Sequence, residues 1–260
     1  MHTSDVRTLA VAVLALLGVA ALVQQWVGAR VGRDSVTAVA RATVQLLGVA
    51  LVIGWIFTHP GALVPYLSVM LVVATATAAG RIGLVRRAGG TRSTATVDLL
   101  LVALAIAAGA GTTVLVVLAS GALQAVPDTV LPYAAQVIGG SMVAASLAGG
   151  RLRDDAVAQW GEVEGWLALG ATHRQAIRDL GRRAVARSLV PALDQTRTAG
   201  LVSLPGAFVG LLLGGATPLQ AAQVQLLVLV GLLAAQSVSA ALTVTLVGPS
   251  FARSQPLAQN

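Results

Sequence analysis

Apolar residues run along this chain in blocks too long for barrel strands and too uniform for the half-buried helices of a soluble globule. Seven blocks stand out, at about 9–27, 35–57, 61–79, 94–118, 131–147, 200–213 and 221–247. A helix needs roughly 17–25 apolar residues to cross a bilayer. Six of the blocks reach that length, and the block at 200–213 falls short of it. A helix beginning near Val190 is expected to extend the short block backwards. Helices are the expected conformation because, in hydrocarbon, a helix satisfies its own backbone. Trp26 and Trp55 stand near block ends, where an indole suits the headgroup region. The first block has a competing reading. Arg7, an apolar run and the small residues Gly18, Ala20 and Ala21 also fit a secretory signal, whose removal would leave six spans.

Arginines between the blocks predict the orientation. Arg30 and Arg33 follow the first span, and Arg81, Arg86, Arg87 and Arg92 follow the third. Eight more lie between Arg151 and Arg197, after the fifth, and Arg253 is in the tail. The opposite side holds only Arg7. Basic residues favour the cytoplasmic side, so the N-terminus is expected outside and the C-terminus in the cytoplasm.

Composition supports the bilayer. Of 260 residues, 56% are hydrophobic and 10% charged, against about 25% charged in soluble domains. Such a chain could not cover a water-facing surface. Aromatics make up only 3%, which favours closely packed helices over an aromatic-girdled barrel. The net charge of +7 does not imply nucleic-acid binding, because the arginines fall between spans without interleaved aromatics. The chain has no Cys, which excludes disulfides and thiolate metal sites. It also has no Lys, so it lacks the lysine of a phosphate-binding P-loop. ATP hydrolysis of that kind must come from another polypeptide. No nucleophile–base constellation points to an enzyme.

The polar stretch 151–190, within one transmembrane domain spanning 1–260, carries the most legible local signals. Val157, Trp160, Val163, Trp166 and Leu167 recur at helical spacing. Leu169-Gly170-Ala171 should end that helix, with Gly170 as its cap. Thr172 and Gln175 form a capping box that opens a second helix through Ala176, Ile177 and Leu180. Trp160 and Trp166 are expected on one apolar stripe. Such a helix–turn–helix is either an amphipathic element lying on the membrane or a knob that docks into a motor protein.

Glu164-Gly165-Trp166-Leu167-Ala168-Leu169-Gly170, with a Glu six residues before a Gly, is similar to the coupling-loop motif of ABC-transporter permeases. Ala171 and Thr172 continue the resemblance. Leu180-Gly181-Arg182-Arg183 then departs from the usual Ile-x-Leu-Pro, and a Leu-Val-Pro occurs only at 189–191. A resemblance covering nearly the whole chain rests on three strings. They are Arg41-Ala-Thr-Val-Gln45-Leu46, Leu167-Ala-Leu-Gly-Ala-Thr172 and Asp194-Gln-Thr-Arg-Thr-Ala-Gly-Leu-Val-Ser-Leu-Pro-Gly206. These resemble the FetB-type iron-export permease family, whose relatives include plant aluminium-tolerance permeases. The resemblance implies a homodimer in the plasma membrane of a bacterium. It also implies a separate cytoplasmic subunit that binds Mg-ATP, and a metal ion or complex as cargo.

Polar residues inside the spans are costly and mark packing or a pathway. Thr37, Arg41 and Gln45 share one stripe of the second span. Arg41 lies roughly 10 Å in from Asp34. There it can snorkel to the interface or pair with Asp98 or Asp194. Gln136, Ser141 and Met142 are the fifth span's candidates, the thioether suiting soft metals. Gly206, Gly210 and Gly214 offer a face for close helix packing. Pro205 should loosen the helix around Ser203, which makes 202–206 the expected pivot or binding region. Gln223, Gln225, Gln236, Ser237 and Ser239 can bond between helices. His2, His59 and His173 are scattered and form no metal trap; His59 lies at the outer mouth.

The expectation is an all-α polytopic membrane protein with seven transmembrane helices and a cytoplasmic coupling helix–turn–helix between spans five and six. Its expected role is the permease half of an ATP-driven exporter. An ion-gradient-driven secondary carrier or channel is the alternative. That alternative calls for a mid-span carboxylate, whereas Asp98 and Asp194 lie near span ends. A membrane scaffold without transport is a third possibility.

Overall fold

The apolar blocks fold as helices, and most of them end where the sequence withdraws a backbone donor or frees a dihedral. A computed structural model describes residues 3–29, 31–84 and 92–253, with side chains for 7–29, 31–84 and 96–253. Expectations resting on His2, Arg30, Arg86, Arg87 and the Arg92 side chain fall outside these. The helices are α1 (Thr3–Trp26), α2 (Gly32–Thr58), α3 (Leu63–Ile82), α4 (Arg92–Ala119) and α5 (Pro127–Ala158). They continue as α6 (Trp160–Ala168), α7 (His173–Ala176), α8 (Arg178–Thr198), α9 (Gly206–Leu213) and α10 (Pro218–Phe251). Among the described residues there are no strands, only an isolated bridge between Ala199 and Ser203. Six helices, α1 to α5 and α10, are long and apolar enough to cross a membrane.

The seventh expected span is not one helix. The helix through Val190 begins at Arg178 and stops at Thr198, and α9 is only eight residues long. Two residues account for the break. Gly200 takes a left-handed φ of 83°, and Pro205 has no N–H to continue a ladder. Gly200 N–H donates to the Ser203 carbonyl at 2.9 Å, and Val202 N–H to that of Thr198 at 3.0 Å.

Contacts group the chain into two units, 1–60 and 61–260. The first is the α1–α2 hairpin, turned at Gly28 (φ 76°). Gln24 Nε2 donates to Ser35 Oγ at 3.0 Å across it. At the far end of α2, His59 stacks on Trp55 with ring centroids 4.9 Å apart, and Thr58 Oγ1 lies 2.9 Å from its Nδ1. His59 is therefore exposed yet held against an indole, not a loose loop residue.

In the second unit, α4, α5 and α10 make the core, and α5 and α10 run parallel in close register. Ser239 Oγ donates to the Ser141 carbonyl at 3.0 Å. One residue earlier on α5, a Cβ added at Gly140 would sit 2.7 Å from Leu232, two turns before Ser239. Towards the finish, one added at Gly248 would sit 2.9 Å from Leu152. α4 runs the other way, with Gly109 against Ala235 and Ser239, and Thr113 beside Gly231. The Ile82 end of α3 meets Gly149, and Arg153 Nη1 donates to the Ile82 carbonyl at 3.4 Å.

α8 packs on both α5 and α10 and runs antiparallel to α10. Gly181 lies against Val244 and Ile177 against Gly248. Arg187 pairs with Asp155 at 3.2 Å, and Arg183 Nη2 donates to Gln159 Oε1 at 3.2 Å. Thr217 caps the opposite end of α10. The chain from Ile177 to Thr217 thus retraces α10 in two pieces, α8 and α9. Among the described side chains of α3, α4, α5 and α10, charge collects at one end. Arg81, Asp98, Arg151, Arg153, Asp154 and Asp155 are there, and Asp128 alone is at the other.

Two glycines on α4 test the packing. A Cβ at Gly109 would collide with the Ala235 carbonyl, which is backbone and cannot swing away, whereas Gly111 faces open space. Gly109→Ala is expected to cost about 1–3 kcal/mol by overpacking. Gly111→Ala is expected to be neutral, or stabilising by up to about 1 kcal/mol, through helix propensity. Thermal unfolding of the detergent-solubilised variants reads both.

Candidate functional site

Two features in the second unit have the residue chemistry for a role: the capped turn between α6 and α7, and a buried polar seam between α4, α5 and α10.

The turn is fixed from both sides. Gly170 has a φ of 87°, a value that suits a residue without Cβ. Its N–H donates to the Leu167 carbonyl at 3.0 Å, and the Ala171 N–H to that of Trp166 at 3.0 Å. This paired pattern is the Schellman C-cap. Two residues later the capping box closes. Gln175 N–H donates to Thr172 Oγ1 at 3.4 Å, and Thr172 N–H donates to Gln175 Oε1 at 2.8 Å. Both caps fall on the residues the sequence singled out.

Packing of the turn differs from the expected single stripe. α5 runs on to Ala158, so Val157 and Trp160 stand on either side of a break at Gln159 (φ −114°, ψ 32°). Val163 is buried and Trp160 packs against the core. Trp166 does not join them and is 49% exposed, while Leu169 at the apex is 83% exposed. Glu164 is exposed, and its carboxylate makes no ion pair among the described residues. The second helix is also shorter than expected: α7 is four residues, and Ile177 separates it from α8. A groove of about 430 Å³ lies between turn and α8, lined by Glu162, Trp166, Gly170, Arg178 and Asp179 among others. The result is an apolar ridge flanked by carboxylates on a backbone with few ways to move.

The seam is sealed rather than open. Ser141 is fully buried on α5, facing Gly109 of α4 and Ser239 of α10. Two turns earlier on α5, Tyr133 packs its hydroxyl against Gly231, beside Thr113. Thr113 Oγ1 donates to the Gly109 carbonyl at 2.9 Å. The hydroxyls of Tyr133, Ser141 and Thr243 are buried without a hydrogen-bond partner among the described residues. Sequence reading named Ser141 and Ser239 but missed Tyr133, Thr113 and Thr243. A signal was present: Tyr133 and Ser141 are eight apart, as are Gly231 and Ser239, which puts one stripe of each helix in register. Neutral hydroxyls can bond to a polar cargo or to each other, but they supply neither general base nor strong metal ligand.

The other expected pathway residues of the second unit do not join Ser141. Met142 packs beside the core, but Gln136 is exposed. Asp194 is exposed and pairs with Arg197 at 3.6 Å. Ser203 is exposed in the break, and no helix is there for Pro205 to loosen. Pro205 instead caps α9, a place where a missing N–H costs nothing. Arg41 and Gln45 are exposed on α2 of the first unit. Gly206 and Gly210 face open space, and Gly214 meets only carbonyls of its own helix. The chain's close helix contacts run instead through Gly109, Gly140, Gly149, Gly181, Gly231 and Gly248. Among the described residues, no three His, Asp or Glu side chains gather to hold a metal ion.

Comparison with known proteins places these features in a family. The profile described as "Uncharacterised protein family (UPF0014)" matches residues 7–251. The chain is similar to the "UPF0014 membrane protein STAR2" of Oryza sativa subsp. japonica, at 37% identity over 217 residues, 82% of this chain and 72% of that protein. It is similar to the "Probable iron export permease protein FetB" of Escherichia coli (strain K12), at 31% identity over 240 residues, 92% and 88% of the two chains. It also matches the "Protein ALUMINUM SENSITIVE 3" of Arabidopsis thaliana, at 39% identity over 148 residues, 57% and 54% of the two chains. No solved structure matches it. A match across nearly every helix, with relatives this similar over most of their length, means that the chain belongs to the UPF0014 family of multi-pass membrane proteins.

Proposed function

We propose that this chain is the membrane-spanning permease subunit of an ABC transporter that exports iron or another metal species. A separate cytoplasmic ATPase, binding Mg-ATP, grips it at the α6–α7 turn. The observation that carries this reading is the rigid, doubly capped turn presenting Trp166 and Leu169 beside Glu162 and Glu164. A solvent-facing leucine at the apex of a polar segment costs solubility unless a partner covers it. Interfaces concentrate their binding energy in such exposed aromatic and apolar anchors. The relative named as a probable iron export permease supports the cargo class and direction.

In this reading the charged end of the second unit faces the cytoplasm, because arginines are retained there. The end of α8 from Val190, the break at 199–205 and α9 together serve as the seventh crossing, with the N-terminus outside. The turn joins α8 through α7, so a push on Leu169 bears on the helix that lines α5 and α10. The break, held by few bonds, is where the two halves of that crossing hinge. Cargo passes the hydroxyl seam when α10 moves relative to α4 and α5. The open face at Gly206 and Gly210 is where a second permease copy packs.

Two variants separate docking from folding. Leu169→Glu changes an exposed side chain, so the protein should insert and melt as before. Recovery of the ATPase subunit on affinity purification should fall about tenfold or more, the loss of one interface anchor. Gly170→Val forces a β-branched residue to positive φ at a cost of about 1–2 kcal/mol and should also weaken recovery. Undiminished recovery with both would contradict the docking site. In proteoliposomes, metal efflux should need both the ATPase and ATP. Efflux by the purified chain alone under an ion gradient would favour the secondary-carrier reading instead.

A further inference from the structure

A second groove lies on the other side of α8, where its first turns and α7 meet the last turns of α10. It encloses about 820 Å³, within the roughly 300–1,000 Å³ range of small-molecule sites. Its rim is basic, with Arg174, Arg178 and Arg182 at four-residue intervals along α7 and α8. Its floor is apolar, formed by Val185 of α8 and Val244 and Pro249 of α10, among others.

Pro249 organises this rim. It has no N–H, so the Thr245 carbonyl four residues earlier loses its helical donor. Arg174 Nη2 supplies the bond instead, at 3.3 Å. One guanidinium donor is thereby tied to the helix, and the fork is held at the groove with further donors to spare. Arg182 has only a long, exposed contact to Asp179, at 3.8 Å. Arg178 has no counter-ion among the described residues. Three arginines against one carboxylate leave a surplus of two positive charges at the rim.

Helix length sets the depth. The 34 residues of α10 rise about 51 Å, whereas the hydrocarbon core is about 30 Å thick. Centred in the bilayer, α10 leaves roughly seven residues beyond each hydrocarbon face. Ala241 and Val244 then lie at the acyl boundary, and Thr245 and Pro249 lie in the headgroup layer. A site that is apolar on its inner side and forked with guanidinium on its outer side, at that boundary, matches an amphiphile with a phosphate head. We infer that this groove binds one anionic phospholipid. Its phosphate lies on Arg174, Arg178 and Arg182, and an acyl chain lies along Val185 and Val244. The site wedges lipid against the α8–α10 contact, so lipid charge bears on how firmly α8 is held.

Native mass spectrometry of the purified full chain, with added phosphatidylglycerol or phosphatidylcholine, tests this. Phosphatidylglycerol should be retained preferentially. The Arg178→Gln/Arg182→Gln double variant should lower its retention about tenfold or more. Ala241→Trp keeps every charge but fills the exposed apolar wall, and should lower it similarly. Arg183→Gln, whose side chain bonds Gln159 outside the groove, should leave it unchanged. Equal retention of the two lipids, or full retention by the double variant, would overturn the inference. So would displacement of the lipid by inorganic phosphate, which would make this a free-anion site. In native membranes, a disulfide-linked dimer of Ala241→Cys, a cysteine otherwise lacking, would assign the groove to a second copy of the chain and equally overturn it.

Discussion

In hydrocarbon, a polar backbone group without a partner costs several kcal/mol, and this cost governs where the chain bends and where its charges sit. Long helices pay no such cost along their length. Three interruptions of the ladder show a specific repair. Arg174 takes up the carbonyl that Pro249 orphans. Arg153 takes up the carbonyl of Ile82 where α3 ends. At the break between α8 and α9, Gly200 and Val202 donate back to Ser203 and Thr198. Two of these three repairs use arginine, and both lie at the same end of the second unit.

Concentrating charge at one end leaves the rest of the unit to pack by shape. Glycines on α4, α5 and α10 let backbones approach until side chains of one helix meet the main chain of the next. That closeness buries the hydroxyls of Ser141 and Tyr133 and leaves them short of partners. In the proposed transport cycle this seam would open to polar contents by switching between two discrete arrangements. α8 is in a position to choose between them, because it contacts both α5 and α10 and is joined through α7 to an exposed, rigid turn.

Much of this was legible in the sequence. Residues 169–175 carry their own caps, so local chemistry alone specifies the turn. The long spans follow from block length, which tertiary contacts do not alter. Besides the break in the expected seventh span, three features resisted reading, each for a physical reason. α5 runs beyond its apolar block to Ala158 because Leu152 and Ala156 are buried under α10 and α8. Trp166 turns outward because, at about 100° per residue, it stands about 120° round α6 from Trp160 and about 100° from Leu167, the two residues that pack on the core. The glycines at 206, 210 and 214 read as a packing face but meet no other helix among the described residues of the second unit, and glycines with no repeat spacing make the tight contacts. Close approach depends on which helices become neighbours, and a single helix's spacing does not encode that.

The central claim is that the arginine-rich end, with the α6–α7 turn, faces the cytoplasm, where a motor protein can reach it. The chain has no cysteine, so single cysteines can be placed without background. Leu169→Cys at the apex of the turn and Ala122→Cys in the connection between α4 and α5 report the two ends of the second unit. A membrane-impermeant maleimide applied to intact cells should label position 122 and leave position 169 untouched until the membrane is opened. Labelling of position 169 in sealed cells would put the turn on the wrong side and contradict ATP-driven coupling through it.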